Sequence, residues 1–206
     1  MTALQLVRTE SLEAAPARPD QEVIARLIEP NTRVLDVGCG DGAMLALLQG
    51  RARARGIERD GACVRACVAR GLAVVQGDAE QDLAEFPAQS FDYVVLSHVF
   101  QGLAQPREAL RQARRIGAHV IISIENGAHW RVRTRLALQG RAGEAWADGQ
   151  AARPCGVRDL AELARGERLT LERAIPLSNG RPGAPFARRL WRANWFADEA
   201  VFLFVA

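Results

Sequence analysis

Arg33-Val34-Leu35-Asp36-Val37-Gly38-Cys39-Gly40-Asp41-Gly42 decides the fold of this chain. A short apolar run opens the stretch, as a buried parallel strand does, and three glycines in five positions close it before a helical pattern begins. Glycines at a strand-to-helix turn permit positive φ and let a ligand come close to the backbone. Outward from this loop, apolar runs alternate with helical spacings. Strands are expected near 32–37, 52–57, 73–76, 91–97 and 118–124, and helices near 42–49, 60–70 and 106–115. Such alternation implies right-handed crossovers and a parallel sheet covered on both faces. The end differs: 168–177 and 199–205 read as a terminal antiparallel pair around a segment rich in Gly, Pro and Arg. The expected architecture is α/β: a Rossmann-like, doubly wound, mostly parallel seven-stranded sheet with an antiparallel last strand. Upstream, Val23, Ile24, Leu27 and Ile28 recur at helical spacing with Asp20 as the N-cap, and residues 1–18 form an arm ending in the breaker Ala15-Pro16-Ala17-Arg18-Pro19. The domain then covers 19–206.

The 206 residues, 49% hydrophobic and 25% charged, suffice for one core. No apolar run reaches the roughly eighteen residues needed to cross a bilayer, and no cleavable leader is evident, so a cytoplasmic protein without a membrane partner is expected. The four cysteines fit neither a disulfide framework nor paired CxxC knuckles; Cys63 and Cys67 lie four apart on a helix but lack a second pair, and no metal is expected. The net charge of +3 is spread over arginine clusters at 51–55, 111–115 and 188–192, the pattern of solvated helix faces. Nucleic acid is not an expected partner; a homodimer is compatible with the sequence.

Charge chooses the ligand of the loop. A dinucleotide pyrophosphate prefers a bare helix N-terminus, and Asp36 and Asp41 would repel it. S-adenosylmethionine carries an ammonium and a sulfonium, both favoured by carboxylates. Glu58, twenty residues after Gly38 at the end of the second strand, suits a ribose hydroxyl pair, with Arg59 beside it. Gly77-Asp78-Ala79 follows the third strand, where Asp78 either accepts from the adenine amino group or caps a turn. Ser97-His98 ends the strand Phe91–Leu96, at the carboxyl edge where open α/β sheets hold ligands, and should border the methyl group. The expected cofactor-binding set is thus Asp36, Gly38, Cys39, Gly40, Asp41, Glu58, Arg59, Gly77, Asp78, Ala79, Ser97 and His98, for S-adenosylmethionine or S-adenosylhomocysteine.

Together these motifs resemble the class I S-adenosylmethionine-dependent methyltransferase superfamily and, within it, the methionine-biosynthesis protein MetW family. The closer likeness rests on Arg33–Gly42, Cys67-Val68-Ala69-Arg70-Gly71, Ser90–Ser97 and Phe100-Gln101. It continues through Pro106, Leu110 and Arg114, Asn126-Gly127-Ala128-His129-Trp130-Arg131, Gly140-Arg141, Asn194 and Glu199-Ala200. The Gly-rich loop is common to the superfamily, whereas Asn-Gly-x-His-Trp-Arg is far more specific. The chain departs from the family pattern at Gly143–Gln150, where an aromatic and proline-rich stretch followed by a histidine is usual, and at Glu125, where proline is usual. The resemblance implies the class I methyltransferase fold and a role in methionine biosynthesis beside homoserine O-acyltransferase.

Methyl transfer to a poor nucleophile needs a base within hydrogen-bond reach. His98 and His129 are the catalytic candidates, and His119, opening an apolar strand, reads as structural. The Asn/Asp-Pro-Pro-Tyr/Phe signature of amino-group methylation is absent at 97–100. Two functions stay open: an S-adenosylmethionine-binding accessory or regulatory partner of the acyltransferase, and an active methyltransferase on a small-molecule acceptor. The surface Asn126–Arg141 is expected to face a partner or substrate, with Trp130, Trp146, Trp191 and Trp195 as core or interface aromatics.

Overall fold

The computed structural model describes residues 16–140, 153–188 and 190–206. The remainder of the 1–18 arm, Arg141 of the Gly-Arg pair and the divergent stretch Gly143–Gln150, with Trp146, lie outside the described residues. In chain order the elements are α1 (Pro19–Leu27), β1 (Arg33–Val37), α2 (Ala43–Leu48), β2 (Arg53–Glu58), α3 (Gly61–Ala69), β3 (Val74–Gln76) and α4 (Ala79–Asp82). They continue with β4 (Phe91–Ser97), α5 (Pro106–Ile116), β5 (Gly117–Glu125), α6 (Trp130–Gln139), α7 (Val157–Gly166), β6 (Thr170–Ser178), β7 (Arg181–Pro182), α8 (Leu190–Phe196) and β8 (Glu199–Val205).

The sheet order is β3-β2-β1-β4-β5-β8-β6-β7. β1 to β5 pair in parallel, while β8 runs antiparallel between β5 and β6. The seven expected strands are all present; the eighth, β7, is a two-residue hairpin end on β6, too short to carry a sequence period. β8 fits between two strands because Ala200–Phe204 is buried on both faces. Alternation along the strands divides the core. Val34, Tyr93 and Val95 meet Ile24 of α1 and Met44 of α2 on one face. Leu35, Val94 and Leu96 meet Leu110 of α5 and Leu160 of α7 on the other. Burying each such Leu or Ile stabilises by about 1.5–3 kcal/mol.

Two sequence expectations change. Asp20 is not the cap of α1: the N-cap is Arg18, whose N–H donates to Gln21 Oε1 at 3.0 Å. Pro19 sets this start, because its fixed φ suits the first helical position and it has no N–H to satisfy. Asp20 therefore lies inside the helix, fully buried against the sheet. The second change is that α6 and α8 fill regions read only as partner surface and as Gly, Pro and Arg-rich connection, and α7 lies where no element was expected. α6 contains no buried residue, so it carries no apolar stripe for a period search to find.

Candidate functional site

Each turn of the loop after β1 has a physical cause. Gly38, Gly40 and Gly42 sit at φ +70°, +55° and +83°, the left-handed region that side chains disfavour. A Cβ on Gly38 would stand 2.8 Å from Val99 Cγ2, and one on Gly42 2.6 Å from Leu72 Cδ1, so both are also packed too closely for a side chain. A Cβ on Gly40 would meet nothing within 4 Å. Gly38 N–H donates to Ile57 O at 2.8 Å and Gly40 N–H to Glu58 Oε2 at 2.9 Å, which tie the loop to β2. Behind it, Cys67 Sγ donates to Gly40 O at 3.3 Å and Arg70 Nη1 to Asp41 O at 2.6 Å. Burial pushes the Cys39 thiol well above the ordinary range, and it is an apolar packing group beneath the loop.

The loop opens on a cavity of about 240 Å³ lined by Pro16, Arg18, Gln21, Asp36, Gly38, Cys39, Gly40, Asp41, Ala43 and Ser97. Asp36 is 2% exposed. Burial raises its pKa to about 7; the Arg18 cation pulls it down, and Asp20 and Glu58 push it further up. Beside it, Asp20 Oδ2 accepts from the hydroxyls of Ser97 and Ser123 at 2.7 Å each, and Oδ1 accepts from Arg18 Nε at 3.0 Å. Burial alone would raise the Asp20 pKa, but Arg18, the two hydroxyls and the nearby His98 together bring it below the usual carboxylate value. His98 stands on the same cluster, with Nε2 3.5 Å from Glu199 Oε2 and 3.7 Å from Asp20 Oδ2. Glu199 raises the His98 pKa, burial opposes this, and Asp20 adds to the rise.

The structure gathers Asp36, Gly38, Cys39, Gly40, Asp41 and Ser97 around the cavity. Glu58 reaches it through Gly40; its other oxygen, Oε1, accepts from Asp60 N–H at 2.8 Å. Arg59 is exposed beyond it. Asp78 caps α4, its Oδ1 accepting from Glu80 N–H at 2.9 Å, with Gly77 before it and Ala79 after. His129 is apart from the cavity lining: it is the N-cap of α6, where Nδ1 accepts from Arg131 N–H at 3.1 Å. The ring therefore carries its proton on Nε2, 3.6 Å from Asp198 Oδ1. His119 stacks on Tyr93 with ring centroids 4.9 Å apart.

Sequence reasoning missed Arg18, Asp20, Gln21, Ser123 and Glu199. Ser123 was the findable one, a lone hydroxyl in the apolar run Val120–Ile124. The departure at Glu125 also has a local partner, since Gln101 Oε1 accepts from Glu125 N–H at 2.9 Å, a bond a proline cannot make. A larger depression of about 780 Å³ lies at the opposite edge, lined by Arg33, Asp92, Arg115 and His119 among others. Open parallel sheets hold ligands at the carboxyl ends of their strands, so the smaller cavity is the candidate site.

A family model described as "Methionine biosynthesis protein MetW" matches residues 18–204. The chain belongs to that family. A MetW-family relative, the bifunctional methionine biosynthesis protein MetXA/MetW of Rhodopirellula baltica, is 32% identical over 155 residues. The alignment covers 67% of this chain and 25% of the relative, so the chain spans about a quarter of that relative's length.

The fold recurs in solved structures. A SAM-dependent methyltransferase, possible histamine N-methyltransferase, of Thermotoga maritima matches at a TM-score of 0.67 and 17% identity, covering 91% of this chain and 87% of that one. A SAM-dependent methyltransferase of Archaeoglobus fulgidus matches at 0.65 and 16%, covering 90% and 94%. The [4+2]-cyclase SpnF matches at 0.64 and 16%, covering 90% and 79%. These likenesses establish the class I methyltransferase fold for this MetW-family chain and no particular reaction. No helix among the described residues is long and apolar enough to cross a membrane.

Proposed function

We propose that this chain binds S-adenosylmethionine or S-adenosylhomocysteine and serves methionine biosynthesis, in the cytoplasm, as an accessory or regulatory partner of homoserine O-acyltransferase. The MetW-family match across residues 18–204 carries the biosynthetic role. The relative in which MetXA and MetW share one chain supports the partnership. The anionic, Gly-rich cavity supports the ligand: a cationic amino acid end fits over Gly38 to Gly40 with its ammonium and sulfonium facing Asp36, and Arg18 near a carboxylate. The ribose then falls to Glu58, which has acceptor positions left after Gly40 and Asp60. The adenine falls to Gly77, Asp78 and Ala79, with Arg59 at the rim.

The partner face we assign to α6 and α8, where Trp130, Trp195 and Phe196 are exposed beside Arg131 and Arg133. Arg133 lies over the Trp195 ring at 4.5 Å and joins the two helices into one surface. Aromatic residues and arginine are the side chains enriched at interface centres. A second reading, methyl transfer to a small-molecule acceptor, is supported by one observation: His98, a titratable base, follows Ser97 of the cavity wall.

Affinity capture with the tagged full-length chain, followed by incubation of the recovered material with methyl-labelled S-adenosylmethionine, separates the two. Recovered acyltransferase without label transfer is expected. Label on a small molecule and no acyltransferase would replace this reading with the second.

A further inference from the structure

His98 holds φ +55°, in the left-handed region that side chains disfavour. Its N–H donates to Ser123 Oγ at 3.1 Å, and this turn sets Nε2 between Asp20 and Glu199. Nε2 is closed off from solvent and has no hydrogen-bond partner among the described residues. Orphaned buried polar atoms are uncommon, and its distances of 3.5 and 3.7 Å to the two carboxylates are long for hydrogen bonds. Around a tetrahedral centre with bonds of about 2.0–2.2 Å, ligand atoms stand about 3.3–3.6 Å apart. The 3.5 Å separation matches two ligands of one ion, and the 3.7 Å separation lies about 0.1 Å beyond that spacing. The three ligand atoms of Asp20, His98 and Glu199 all lie within 4.8 Å of one another. The remaining edge, between Asp20 and Glu199, is no longer than 4.8 Å, and Glu199 is a partly exposed side chain.

Asp20 is already oriented as such a ligand. It is fully buried, and the Ser97 and Ser123 hydroxyls fix its Oδ2, the kind of outer contact that positions metal-binding carboxylates. Arg18 Nη2 makes its short bond to Ser97 Oγ at 2.6 Å and only a 3.5 Å contact to Asp20 Oδ2, the contact an ion would displace. Two carboxylates against one guanidinium favour a cation, and an ion bound here replaces the proton that the same carboxylates favour on the imidazole.

We propose that Asp20, His98 and Glu199 bind one divalent first-row transition metal ion. One imidazole with two carboxylates suits Zn²⁺, Co²⁺, Mn²⁺ or Fe²⁺, whereas Mg²⁺ and Ca²⁺ take oxygen alone. Three protein ligands leave at least one coordination position for a non-protein ligand. Ser97 belongs to both the Asp20 contacts and the cavity wall, so an oxygen ligand on the ion stands beside the cavity.

The test titrates untagged, chelator-treated full-length chain with Co²⁺, read by visible absorption and calorimetry, with no S-adenosylmethionine present. Expected are one equivalent of Co²⁺, a ligand-field spectrum without thiolate charge transfer, and displacement by Zn²⁺. Glu199→Gln, at a partly exposed position, keeps the wild-type circular dichroism and binds Co²⁺ at least tenfold more weakly, and His98→Ala takes up no stoichiometric ion. Absence of stoichiometric uptake by the wild type, a thiolate band, or unchanged uptake in both variants overturns the site. Any of these leaves the S-adenosylmethionine reading untouched.

Discussion

At the scale of single residues, Asp36 and Gly40 carry the sharpest consequences. Asp36 holds its proton to about pH 7 because burial penalises the charge. Its folded pKa is above its unfolded value, so its contribution to stability is present at acid pH and is lost as pH rises through 7. A cationic ligand reverses the preference, since it pairs with the ionised form. S-adenosylmethionine affinity should therefore rise roughly eightfold between pH 6 and 7.5, the change in ionised fraction for a pKa near 7. Calorimetry in buffers of different ionisation enthalpy should also show proton release. Asp36→Asn should flatten both effects, and a flat wild-type profile would remove Asp36 from ligand binding. Gly40 separates binding from folding. Gly40→Ala meets only the left-handed backbone cost, about 1–2 kcal/mol, because its Cβ faces open space in the cavity wall. It should stay folded and bind the ligand at least tenfold more weakly, whereas Gly38→Ala also drives into Val99 and should unfold at lower temperature. A folded Gly40→Ala with wild-type affinity would displace the ligand from this loop.

At the scale of elements, what the sequence made legible follows from burial. β1, β4, β5 and β8 are apolar runs buried over most of their length, and their bounds differ from the expected ones by a residue at most. The same logic explains the failures. α6 is exposed or partly exposed along its length, α8 spans fewer than two turns, and β7 is two residues long, so none repeats a buried pattern along the sequence. Half of the site was legible because glycine and carboxylate chemistry is local in the loop. Asp20, Ser123 and Glu199 come from α1, β5 and β8 and meet only through the strand order, which no local pattern encodes. Asn126 shows how a specific motif can serve an element and not a ligand. Its Nδ2 donates to Ala193, Asn194 and Ala197 carbonyls at 2.8–3.1 Å, pinning α8 to the end of β5. Asn126→Ala leaves buried carbonyls unpaired and should lower stability by on the order of 2–3 kcal/mol in urea unfolding. A loss below about 0.5 kcal/mol would mean that α8 is held by its packing alone.

At the scale of the whole molecule, the proposed partnership with the acyltransferase needs a surface that can hold it. In the Rhodopirellula relative, the matching region is a quarter of a longer chain. A stable interface between two proteins buries about 1,200–2,000 Å² in total. The α6 and α8 face has the composition for this: Trp130, Trp195 and Phe196 are 40%, 42% and 57% exposed, and Arg131 lies over the Trp130 ring at 5.6 Å. These rings add little to the fold, since they lie outside the buried clusters. Replacing Trp130 and Trp195 together by Ser removes Arg–Trp contacts of about 0.5–1 kcal/mol each, which in a chain of this length lowers the melting temperature by only a few degrees. Ligand affinity should be unchanged, because neither residue touches the cavity. Acyltransferase capture should fall at least tenfold, as expected when aromatic anchors are cut from an interface centre. The opposite pattern, a melting temperature lowered by ten degrees or more with capture intact, would make these tryptophans scaffold and move the partner to another face.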